Sequence, residues 1–160
     1  MARTRAETFA IGLEPSIDGL RQTARALIRS PLPNVALLVT AVEAAELDAI
    51  ADEVTVHFPW GPLLDAALGE DADVLAAVAS LAKPGAPVRI LVSATARDGR
   101  ASLTRADLEG LRPRYRASGL ELVSVRPASC ADVDAARSTW GKRLGAGRSR
   151  PAFVVRARRR

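Results

Sequence analysis

Short apolar, β-branched runs alternate along this chain with segments whose apolar residues recur every three or four positions. That alternation constrains the fold more than any other feature. Strands buried on both faces read as near-continuous apolar runs, and intervening helices return the chain to the same edge. The pattern therefore predicts an α/β fold with a mostly parallel sheet. Thr8 to Leu13 reads as the first strand, and Ile17, Leu20, Ala24, Leu27 and Ile28 make a helical stripe that Pro31 and Pro33 stop. Val35 to Val39 is the next strand, followed by a short helical stretch from Glu43 to Ala51 and a β-branched strand from Glu53 to Phe58, ended by Pro59-Trp60-Gly61. Leu63 to Leu81 reads as a helix interrupted near Gly69, and Lys83-Pro84-Gly85 turns the chain into a strand from Val88 to Val92. Thr104 to Ala117 carries helix signals, with Thr104 as N-cap and Asp107 as its capping-box partner. Leu120 to Val125 and Ala152 to Val155 are the last strands, with a helical segment from Asp132 to Leu144 between them.

With 160 residues, 48% of them hydrophobic, the chain can bury the core of one domain, which is the expected organisation for 1–160. Cys130 is the only cysteine and His57 the only histidine, so neither a disulfide, a transition-metal site nor a hydrolytic triad is expected. No apolar run approaches the ~20 residues of a membrane span. A soluble, cytoplasmic, monomeric protein without metal is the expectation. The net charge is +5, and nine of the 23 Lys and Arg residues fall between Arg137 and Arg160, where there is no acid. Positive charge gathered at one end suits a surface that replaces the counterions of a phosphate backbone, so 137–160, with Trp140 near its head, reads as a nucleic-acid-facing segment.

Ligands of open α/β sheets bind at the carboxyl ends of the strands. Glu14, after the first strand, suits the ribose hydroxyls of a nucleoside cofactor or, equally, a cap for the following helix. Glu43 could bound an adenine pocket or simply begin a solvated helix. Trp60 stands on a rigid Pro-Gly turn, where an indole either stacks on a base or folds back over the core. The second tryptophan, Trp140, adjoins the basic run, which favours stacking. His57, inside a strand pattern, suits a packed role better than general-base catalysis. Ser93 has no nucleophile-elbow pattern around it.

Taken together, Val54-Thr55-Val56-His57-Phe58-Pro59-Trp60-Gly61, Ser138-Thr139-Trp140-Gly141-Lys142-Arg143-Leu144 and Gly147-Arg148-Ser149-Arg150 resemble the aminoglycoside-resistance 16S ribosomal RNA methyltransferases that modify adenine 1408 at N1. The resemblance extends to Phe9–Glu14 and to Asn34–Glu43, which look like the second and third strands of that family's S-adenosylmethionine domain. It implies a Rossmann-like class I methyltransferase fold acting on 16S rRNA in the 30S subunit, with S-adenosylmethionine as methyl donor. Trp60 and Trp140 then match the tryptophans that hold the flipped adenine, with Ser138 close to the target. Lys142, Arg143, Arg148 and Arg150 match residues that dock the rRNA backbone. Glu14 would hold the cofactor ribose, Ala41, Val42 and Glu43 would lie beside its adenine, and His57 joins this cofactor-side set. The chain departs from the family at Pro62, where Ser or Thr is usual, and before Thr8, where the family has its first strand and a Gly-rich cofactor loop. An N-terminally shortened domain is expected. The other reading is an inactive RNA-binding remnant of such an enzyme.

Overall fold

The computed structural model describes residues 7–136, 145–147 and 150–160, the side chain of Arg97 excepted. Two compact units, Met1–Glu46 and Leu47–Arg160, make up the chain.

In the first unit β1 (Ala10–Leu13) and β2 (Val35–Leu38) pair in parallel, joined by α1 (Ile17–Arg29). The register, Ala10 opposite Val35, is pinned at its start by Asn34, whose carbonyl accepts the Ala10 N–H at 2.9 Å and whose side-chain amide donates to the Thr8 carbonyl at 2.8 Å. At the other end the Glu14 N–H donates to Leu38 O and the Thr40 N–H to Glu14 O, both at 3.2 Å, so the ladder runs one step beyond each strand. The amphipathic stripe forms α1 as expected, with Asp18 in its first turn and Arg29 in its last, each suited to the helix dipole.

The second unit is a sheet in the order β3-β4-β6-β5, with β3 Val54–His57, β4 Pro87–Val92, β5 Leu120–Pro127 and β6 Phe153–Arg159. β3 and β4 are parallel and β6 is antiparallel to both its neighbours, so three strands run one way and only β6 is reversed. β6 outruns the strand expected at Ala152 to Val155 because β4 and β5 complete its hydrogen bonds on both sides. The last arginines of the basic end therefore sit on an interior strand, where Arg156 and Arg158 stand exposed and the Arg159 guanidinium donates to the carbonyl of Ala79.

Behind the sheet lie α2 (Pro62–Ala67), α3 (Ala72–Leu81), α4 (Arg105–Glu109) and α5 (Arg112–Ala117). Both faces of the sheet are buried: Val88, Ile90, Leu120, Leu122 and Val155 line one, and Leu91 and Val154 the other. The helix expected over 63–81 breaks at Gly69, which takes φ +69°, and restarts where the Asp71 carboxylate accepts the Val74 N–H at 3.0 Å. The segment over 104–117 likewise divides in two, starting from the expected Thr104–Asp107 capping box. Tyr115 is fully buried and its hydroxyl donates to Ala67 O at 2.8 Å, which ties α5 to α2.

The helix expected from Glu43 to Ala51 is absent apart from a 3-10 turn at Val42–Ala44. Glu46 and Ala49 take left-handed backbone, and the N–H groups of Ala49, Ile50 and Ala51 donate to the carbonyls of Ser80 and Leu81 at the end of α3. Tertiary hydrogen bonds there override helix propensity.

Candidate functional site

Glu14 stands at the carboxyl end of β1. Its Oε1 accepts the Ser16 N–H at 3.0 Å, an orphan donor at the start of α1. Its Oε2 has no hydrogen-bond partner among the described residues. Gly19 makes room for this carboxylate, since a Cβ there would lie 2.9 Å from the Glu14 Cδ. One oxygen therefore serves the helix start, as a cap would, and the other is an acceptor without a partner among the described residues. Ala41, Val42 and Glu43 form the start of the 3-10 turn after β2, brought to the same edge by the Thr40–Glu14 hydrogen bond.

His57 is the last residue of β3, with its side chain exposed at the sheet edge. Partial desolvation lowers its pKa, the Arg89 charge adds to the effect, and Glu53 opposes it, so the neutral imidazole is favoured.

After β3 the chain turns a strained corner. Phe58 has φ +49°, in the left-handed region where a bulky side chain costs about 1–2 kcal/mol. It is held there by burial to 3% exposure and by its N–H, which donates to Leu91 O at 2.7 Å. Pro59 is buried as well, and Gly61 takes φ +56° as the N-cap of α2. Between these fixed points the indole of Trp60 is 64% exposed. It faces solvent instead of folding back over the core.

Phe58 belongs to a buried cluster with Leu91, Val133, Ala146, Ala152 and Val154, against which Ala128 and Ala136 pack. Ala136 ends α6 (Cys130–Ala136), so the described residues on both sides of 137–144, Ala136 and Ala146, join the cluster that supports the Trp60 corner. Ser138, Trp140, Lys142, Arg143 and Arg148 lie outside the described residues.

Two polar anchors flank that cluster. Asp132, in the first turn of α6, receives both terminal nitrogens of Arg126 at 2.7 Å, Arg89 Nη2 at 2.8 Å, and the Ser129 hydroxyl and N–H at 2.7 and 2.9 Å. These bonds, led by that from Arg126, hold its carboxyl far below the usual carboxylate range. In the second anchor Arg150 is not the outward phosphate grip expected from the sequence. It is only 9% exposed; its Nε donates to Ser93 Oγ at 2.8 Å, while Nη2 bonds the Ser93 carbonyl at 3.2 Å and the Asp98 carboxylate. Ser93, which looked unremarkable, is a buried link whose hydroxyl also donates to Pro151 O. Sequence reasoning found neither anchor, although Ser129-x-x-Asp132 and Thr95-x-x-Asp98 are capping-box spacings like the one recognised at Thr104. Among the described residues no group of His, Cys, Asp and Glu could hold a metal ion, and no helix is long and apolar enough to cross a membrane.

Comparison with known proteins gives this arrangement a context. The family model described as "NpmA: 16S rRNA (adenine(1408)-N(1))-methyltransferase" matches residues 1–159. A 16S rRNA (adenine(1408)-N(1))-methyltransferase of Escherichia coli is 31% identical over 92% of this chain and 75% of its own length. The enzyme of that name from Streptoalloteichus tenebrarius is 30% identical over 74% of this chain, which spans 59% of that relative. Among solved structures, a variant of the 16S rRNA (adenine(1408)-N(1))-methyltransferase from Catenulisporales acidiphilia with cosubstrate SAM superposes with TM-score 0.84 at 31% identity, covering 99% of this chain and 78% of that one.

Proposed function

This chain belongs to the 16S rRNA (adenine(1408)-N(1))-methyltransferase family, and from that premise we propose that it methylates N1 of adenine 1408 in helix 44 of 16S rRNA, within the 30S subunit, and so confers aminoglycoside resistance. The observation that carries the reading is Trp60: an indole 64% exposed at a corner whose Phe58 is only 3% exposed. A base inside a helix must leave its stack before its Watson-Crick edge can meet a methyl donor, and a fixed indole face replaces the stacking lost. Trp60 takes one face of the adenine and Trp140 the other, with Ser138 beside the target. Lys142, Arg143 and Arg148 grip phosphates, which sets position more than sequence preference. Arg150 acts from inside, through Ser93 and Asp98.

S-adenosylmethionine supplies the methyl group on a sulfonium. Glu14 offers its second carboxylate oxygen to the ribose, Ala41, Val42 and Glu43 border the adenine of the donor, and His57 is assigned to donor binding as well. The target ring nitrogen is neutral and carries its own lone pair, so no protein group has to remove a proton, and positioning supplies much of the acceleration. The protein acts as a cytoplasmic monomer without a metal.

Primer extension across helix 44 of 30S subunits incubated with protein and donor tests the proposal. A stop at adenine 1408, lost in Trp60→Ala, is the expected result. Modification that persists in Trp60→Ala would remove the role given to this indole, and no stop with the parent protein would sink the proposal itself. Calorimetry with millimolar S-adenosylmethionine separates an enzyme from an RNA-binding remnant, which would bind 30S subunits but not the donor.

A further inference from the structure

We propose that Asp132 is a positioning residue for Trp60, acting through α6 and the Phe58 cluster; its relevance to catalysis rests on the reading of Trp60 as a base-stacking surface. Donors reach the Asp132 carboxylate from three places: Arg89 on β4, Arg126 on β5, and Ser129 at the start of α6. Its side chain is 10% exposed, and every one of these contacts is 2.9 Å or shorter. Bonds from two strands and a helix start fix α6 in both rotation and height above the sheet. The next residue, Val133, is 5% exposed and lies in the cluster that contains Phe58. Phe58 holds left-handed backbone with its ring enclosed and its N–H bonded to Leu91 O, and Trp60 follows two residues later. Arg89 adds a second route, since it stands opposite Thr55 on β3 in the parallel ladder, three residues before Phe58. Loss of the Asp132 charge therefore frees α6 to shift, removes a wall of the Phe58 enclosure and loosens the corner that aims the indole.

The chain contains two tryptophans, so Trp140→Phe leaves Trp60 as a sole reporter. In that background Asp132→Asn is expected to lower the residual fluorescence anisotropy of Trp60 and raise its quenching by acrylamide, with far-UV circular dichroism unchanged. Arg126→Gln, which removes the bidentate partner and leaves the Ser129–Asp132 capping box in place, should act in the same direction and decides the matter where Asp132→Asn does not fold. With Trp140 restored, Asp132→Asn should slow single-turnover methylation about 100-fold, the scale of a misplacement near 1 Å. Folded variants that keep the parental anisotropy and quenching would overturn the proposal. A separate measurement isolates the reading beneath it: Trp60→Ala that binds 30S subunits as tightly as the parent would count against base stacking, and would leave the positioning result standing.

Discussion

Phe58 shows how this chain spends stability on geometry. Left-handed backbone at a bulky residue costs about 1–2 kcal/mol, yet the ring is almost fully enclosed and truncation of a buried phenylalanine costs about 3–5 kcal/mol. Phe58→Gly relieves the smaller quantity and forfeits the larger, so thermal melting should show a net loss of stability in spite of the relaxed backbone. Asp132 gives a pH signature. Its folded pKa lies below the value near 3.9 of an unfolded aspartate, so its contribution to stability is complete above that value and is lost as pH falls through the folded one. Acid unfolding followed from pH 5 downward should therefore be less steep in Asp132→Asn than in the parent. Of the partners that create the effect, Ser129 and Arg126 lie in the same stretch of sequence as Asp132, whereas Arg89 comes from β4, a contact that only the folded sheet brings about.

At the scale of elements, the segment between α6 and β6 holds the expected RNA contacts, and its charged residues look alike in the sequence. Arg148 and Arg150 sit two positions apart in one basic motif, and the resemblance assigned both to phosphate. The structure places Arg150 inside, on Ser93 and Asp98. Gly147 beside them takes φ +73°, and a Cβ there would approach the Val133 side chain to 3.1 Å, so Gly147 itself packs against α6. The two arginines should then separate experimentally. Arg148→Ala is expected to weaken 30S binding and to reduce the slope of log affinity against log salt by about one. Arg150→Ala should leave that slope unchanged and instead cost about 1.5–3 kcal/mol of stability, the range for hydrogen bonds to a charged group; salt titrations and denaturant midpoints check the pair. Burial is a property of packing, and the spacing of residues in a motif does not encode it.

For the whole molecule, the alternating pattern located every strand of the observed fold to within a few residues, except that β6 runs on through the basic end to Arg159. Charge content drew attention to that end as a surface, while pairing with both β4 and β5 makes Phe153–Arg159 an interior strand from which Arg156 and Arg158 still stand exposed. In each of the two compact units the candidate residues gather at the carboxyl ends of strands: Glu14 and Ala41 to Glu43 in one, the Trp60 corner in the other. Amino-acid sequence by itself determined the element order, the family and the two tryptophan motifs, because periodicity, turn chemistry and short motifs are local. Only the tertiary structure decided that Trp60 faces solvent, that Arg150 does not, and that Asp132 ties two strands to a helix start beneath the Phe58 corner. Those outcomes depend on which distant groups meet, and hydrogen bonds and burial across the sheet settle that after the local elements have formed.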